Sequence, residues 1–271
     1  DGQQSPHGRP DHPVVALRVA IMAIAAAVSA AGAQATQVTQ TYSARAVDLE
    51  SGELLYSEHH TESLRNGEIS TSRVVYVDCA GDTLATKTMQ FAAAPTRPAF
   101  SIEYHVEGAA EGVYTVGDSL VLERRRGIST ESETKTVAIN EPVVIDGGFD
   151  HAVRQHWDRL GAGKSFAFDF PVPDRLASYR FRVRMTDETM HHGQSARRFR
   201  IEPASFFVRL VAPSIELIYD HSSRRLLRYE GIGNVTDPDT GRRYRARIDF
   251  DYPADAKPLV LYDETSSIAP F

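Results

Sequence analysis

From Tyr179 to Met185 the chain reads YRFRVRM, and from Tyr244 to Tyr252 it reads YRARIDFDY. Large apolar side chains alternate with charged ones at every step. Successive side chains of a β-strand point to opposite faces, so this pattern fits a sheet with one dry face and one wet face. Wound as a helix at 100° per residue, the same residues would scatter around the whole circumference. KSFAFDF repeats the pattern with Phe166, Phe168 and Phe170 on one side. A sheet with one dry face has to close, pair with a second sheet, or be covered by a helix.

Turn chemistry divides the rest of the chain into short strands. LESGEL around Gly52, RNGE at Asn66-Gly67 and DCAGD around Gly81 predict an opening antiparallel meander from Tyr42 to Phe91. Pro95 and Pro98 interrupt it, and AFSIEYHVEG resumes as a strand, followed by strand-like runs at Ser119–Arg124 and Thr134–Ile139. IELIYDHSSRRLLRYEG predicts a hairpin turning at Asp220 to Ser223, TDPDTGRR a further turn, and DETMHHGQ a polar loop.

One stretch, FDHAVRQHWDRLG, reads as a helix over about 148–160, opened by Asp146-Gly147-Gly148 and closed by Gly161. Its wheel puts Phe149, Val153, Trp157 and Leu160 on one stripe, with His156 beside Phe149. The stripe predicts a desolvated His156, and it leaves His151 facing away with Arg154 and Asp158. Each of the four apolar side chains contributes about 1.5–3 kcal/mol when buried. The expected fold is therefore mainly β: a large curved antiparallel sheet or half-open barrel with one principal helix packed on its concave face.

The segment RVAIMAIAAAVSAAGAQA has an arginine, a short apolar run and the small-residue pattern Ala31-Gly32-Ala33, which together read as a secretory signal peptide over 1–33. The apolar run is shorter than the roughly 20 residues a spanning helix needs. Residues 34–271 are then expected as a single exported, periplasmic β domain that does not span the membrane. The one cysteine, Cys79, lies far from the cleavage pattern, so no lipid anchor is expected, and it allows no internal disulfide. A net charge of −6 argues against nucleic acid as a partner.

The runs VIDGGFDHAVRQHWDRL, FDFPVPDRL, LIYDHSSRRLLRYEGIGNV and YVDCAGDTLATKTMQF resemble a set of uncharacterised exported proteins of Gram-negative bacteria. The resemblance covers most of the chain after the leader and implies no catalytic motif. The architecture is also similar to periplasmic lipoprotein carriers, whose curved antiparallel sheet wraps a helix and holds acyl chains on its concave face. That likeness implies a lipid or acyl-chain ligand.

Candidate site residues follow from the inward aromatics and the helix stripe. Phe149, Val153, His156 and Trp157 with Phe166, Phe168, Phe181 and Tyr244 either line an apolar ligand cavity or fill a solid core. On the opposite face, Arg180, Arg182 and Arg184 on one strand and Arg243, Arg245 and Arg247 on another would form a patch for anionic groups if the two strands pair. That patch would serve a second function class, an envelope protein that docks another protein. A third class, a hydrolase, requires a polar cleft holding a histidine with a carboxylate in reach. Ser101, Glu103 and His105 share a strand face but look like ordinary surface chemistry.

No catalytic residue, cofactor or metal site is assigned. GAGKS lacks the first glycine of a phosphate loop, since Asp158 stands there, and it closes a helix instead of opening one. His151 and His156 lie about 140° apart on a helix. His59 and His60 point to opposite faces of a strand.

Overall fold

In the computed structural model, residues 37–91, 94–205, 214–237, 240–256 and 259 are described, so the expected signal peptide lies outside the described residues. The described chain forms one antiparallel sheet of 14 strands. They are β1 (Gln37–Asp48), β2 (Leu54–Arg65), β3 (Glu68–Val77), β4 (Thr83–Gln90), β5 (Ala99–Tyr104), β6 (Ala109–Val116), β7 (Ser119–Arg125), β8 (Glu133–Ala138), β9 (Phe166–Val172), β10 (Ala177–His191), β11 (Gln194–Pro203), β12 (Ile215–Asp220), β13 (Leu226–Thr236) and β14 (Arg243–Asp251).

Their order is β8-β7-β6-β5-β4-β3-β2-β1-β14-β13-β12-β11-β10-β9. Two meanders, one from each half of the chain, are thus joined where β1 pairs with β14, from Ser43↔Asp251 to Asp48↔Ala246. The Asn66-Gly67 turn between β2 and β3 has φ of 55° and 81°, the left-handed pair that a tight hairpin needs.

The sheet does not close into a barrel, because β8 and β9 are not paired to each other. It does curl far round. In a flat sheet β14 and β6, six strands apart, would be separated by roughly 29 Å, yet Arg243 on β14 bonds to Glu111 on β6. Asn234 on β13 likewise donates to the Tyr76 hydroxyl on β3 at 3.0 Å. Arg124 on β7 donates to the Asp174 carbonyl in the turn between β9 and β10. Register shifts in β1, β2, β10 and β13 are irregularities of the kind that bend a sheet. The free edge of β9 is covered by the chain before the helix: Val144 N–H donates to Asp169 O at 3.0 Å, and Asp169 N–H to Pro142 O at 2.8 Å.

The expected helix is present but broken. It forms α1 (Gly148–Gln155) and α2 (Trp157–Gly161), with His156 between them at φ −104°, ψ 23°. Val153, Trp157 and Leu160 are buried as the stripe predicts, against Phe168, Phe199, Leu217 and Tyr219. The polar face departs from the prediction. His151 and Arg154 are each only 2% exposed, whereas His156 is half-buried with its ring 4.0 Å from that of Phe166. A wheel assumes that the side opposite the apolar stripe meets water. Inside a sheet that wraps round it, this helix has protein on that side too, so the His151 ring packs, tilted, against Phe91 at 4.8 Å and Arg154 folds onto Asp150 at 2.8 Å.

Three other expectations need correction. DETMHHGQ is mostly strand, since β10 runs on to His191 and leaves only His192 and Gly193 to turn. β6 and β11 form where no strand was expected. The two arginine-bearing strands, β10 and β14, are not neighbours: β13, β12 and β11 lie between them.

Candidate functional site

The buried core falls into two clusters, bridged by the partly buried Tyr229 and Phe250. One buried cluster fills the β1–β7 half with Tyr56, Tyr76, Ile102 and Leu122, and a second joins the helices to β9–β12. Between the sheet and α1 lies a cavity of about 690 Å³, within the usual range for small-molecule sites. Its apolar wall includes Ile69, Val74, Met89, Phe100, Val113 and Phe168.

Among the expected ligand residues, Phe149, Phe168 and Phe181 line this cavity. Val153 and Trp157 are buried in the second cluster, where Trp157 meets Phe199 at 5.3 Å and carries the Arg197 guanidinium 4.9 Å from its ring. Phe166 packs with His156 at the margin of that cluster, and Tyr244 packs against Tyr56 in the other. The helix stripe therefore supplies core more than cavity wall, because it presses on β9–β12 and leaves its N-terminal end to the open space.

The arginine ladders are answered by carboxylates. Arg180 bonds to Asp169 at 2.9 Å, Arg182 to Glu202 at 2.8 Å through Nε, and Arg247 to Asp249 at 3.0 Å, while Arg184 lies 3.7 Å from Glu202. Arg245 is exposed on the outer face. Arg243 turns the other way. It lines the cavity and pairs with Glu111, and although its burial opposes the charge, Tyr104 and Glu111 beside it raise the guanidinium pKa.

The polar wall of the cavity was not anticipated. On β2 every second residue faces inward, so EHHTE places Glu58, His60 and Glu62 in a row, at 4%, 7% and 6% exposure. His60 Nε2 lies 2.8 Å from Glu58 Oε2, and its ring stacks on Tyr42 at 4.5 Å. Glu62 accepts from Gln40 Nε2 at 2.8 Å and from the Tyr42 hydroxyl at 2.7 Å. Burial first, then Glu62, pushes Tyr42 well above the ordinary tyrosine pKa. The sequence signal was available: counting in steps of two from Glu58 gathers both acids and the histidine on one face. What it lacked was any hint that this face is the dry one.

At the helix end of the cavity, Lys87 Nζ bonds to Asp146 Oδ1 at 2.8 Å. Burial works against the ammonium, but Asp146 outweighs it and the Lys87 pKa is raised. The same Asp146 oxygen accepts from Gly147 N–H at 2.7 Å, tying the start of α1 to β4. Chemically the cavity offers apolar volume and a wall of fixed hydrogen-bonding groups. An imidazole held by a carboxylate can act as a base. However, no hydroxyl or thiol among the described residues is hydrogen-bonded to the other nitrogen of His60. Ser101 and His105 bond instead to Thr88 and Thr86 on the exposed face. Among the described residues no cluster of three or more potential metal ligands occurs, and no helix is long and apolar enough to cross a membrane.

No family model matches the chain, and no curated protein matches it. Among solved structures, the chain is similar to a β-barrel-like protein of domain of unknown function DUF1849 from Brucella abortus, at 9% identity over 81% of this chain and 98% of that one, with a TM-score of 0.49. It is also similar to a domain from Vibrio parahaemolyticus described as an outer membrane lipoprotein-sorting protein, at 10% identity over 82% of this chain and 87% of that one, with a TM-score of 0.24.

Proposed function

We propose that the protein is an exported, periplasmic binding module that holds an apolar, acyl-chain-like ligand between its curved sheet and its helix. The observation that carries this reading is the cavity of about 690 Å³ that remains between two well-packed clusters. A sheet whose only task was to stay folded would lose stability by leaving such a space, since each unfilled part of a core forfeits packing energy. The leader pattern over residues 1–33 supports export. Binding would need no catalytic group, cofactor or metal.

Native mass spectrometry of protein released gently from the periplasm tests the reading. The expected result is an added mass that disappears after organic extraction and reappears as a lipid-like compound in the extract. A single bare mass with an empty extract would overturn it, as would cofractionation of the full chain with the cytoplasm for the exported location.

A further inference from the structure

The cavity has one polar wall, and we infer that this wall selects the ligand's head group: the Glu58–His60–Glu62 row takes a protonated amine. The inference rests on the ligand-binding reading above. Its first support is charge. Elsewhere around the cavity the carboxylates are met by cations, Lys87 on Asp146, Arg243 on Glu111 and Arg175 on Asp174. Glu58 and Glu62 are met by an imidazole, an amide and a phenol, with no lysine or arginine ion pair to either among the described residues. The cation at this wall, Arg225, stacks 4.6 Å from the Tyr252 ring and reaches Gln40 Oε1 at 3.5 Å. Among the described residues of this wall, two carboxylates stand against one guanidinium, which leaves a single negative charge that one ammonium neutralises.

The second support is hydrogen-bonding polarity. When His60 donates Nε2–H to Glu58, the neutral ring keeps Nδ1 as an acceptor. That Nδ1 is buried and has no partner among the described residues. The Tyr42 hydroxyl and one N–H of Gln40 are already spent on Glu62. The row therefore presents acceptors, the carboxylate lone pairs that these bonds leave open. An alkylammonium carries three donors and no acceptor, which complements it. A carboxylate or phosphate head would bring a further negative charge beside Glu58 and Glu62. Burying an anionic head beside two carboxylates without a compensating cation is costly, so the mismatch discriminates between heads. Tyr42, Phe250 and Tyr252 cluster beside the row, with Tyr42 and Tyr252 centroids 4.5 Å apart, and aromatic rings favour a cation over an anion.

The test uses the full chain and a neutral fluorescent probe, N-phenyl-1-naphthylamine, displaced at pH 7 by dodecylamine, dodecanol or dodecanoate below their aggregation concentrations. Dodecylamine is expected to displace the probe at a concentration about tenfold or more below that of dodecanoate, a difference of one well-made charge-assisted contact. In Glu58→Gln, Glu62→Gln and the double variant, each checked for unchanged thermal unfolding, that preference should shrink towards parity while the probe still binds. Dodecanoate or dodecanol displacing as well as the amine from the wild-type protein would overturn the head-group inference and leave the cavity reading standing. So would a preference that survives in the variants. Failure of the probe and of all three amphiphiles to bind would remove both.

Discussion

His151 offers the sharpest test of how completely the sheet wraps the helix. It is 2% exposed, and burial first, then the neighbouring Arg154, pushes its pKa down from 6.5 to about 4. The folded protein thus resists protonation of a ring that the unfolded chain protonates readily. Because the folded pKa is the lower one, this contribution to stability is fully present above about pH 6.5 and is lost as pH falls towards 4. At ~1.4 kcal/mol per pH decade the interval amounts to about 3 kcal/mol, large against a typical net stability of about 5–15 kcal/mol.

Urea unfolding of wild type and His151→Gln at several pH values between 7.5 and 4 isolates the effect, because the carboxylates titrate in both proteins and cancel in the difference. The variant is expected to be the less stable one near neutrality, and the gap should close by about 3 kcal/mol, or reverse, by pH 4. A gap that stays constant across the range would refute the argument. So would an NMR titration placing His151 at or above 6.5, and the helix would then have a wet side after all.

Trp157→Ala should cost about 3–5 kcal/mol, since the indole is 3% exposed among Phe199 and Tyr219; because Trp157 is the single tryptophan, circular dichroism must follow the unfolding. Gly148→Ala should destabilise by about 1–3 kcal/mol in thermal or urea melts, because a Cβ there would lie 2.2 Å from the Thr96 carbonyl oxygen and force the start of α1 off the β4–β5 connection. Lys87→Met should cost about 3 kcal/mol by leaving Asp146 without its cation, and adding Asp146→Asn should recover part of that; a double-mutant cycle with no coupling would show that the pair does not anchor the helix.

The strands themselves were written locally. Alternation marked β9, β10 and β14, and turn residues at Gly52, Asn66-Gly67 and Gly81 separated β1 to β4, because strand period and turn geometry depend on neighbours along the chain. Where the local signal is weak, strands were missed. β6 carries Gly112 at its centre and alanines at its start, and β11 hides its inward Ala196, Phe199 and Ile201 behind an irregular run of arginines. Periodicity also tells only which residues share a face. Whether that face meets water was decided by contacts between distant parts of the chain: β1 on β14, Arg243 on Glu111, Asn234 on Tyr76. Those contacts curl the sheet round the helix, which buries His151 and Arg154 and turns Glu58, His60 and Glu62 from an ordinary polar stripe into the wall of a cavity. Burial is a property of the whole surface enclosing a residue, and no local pattern along the chain encodes it.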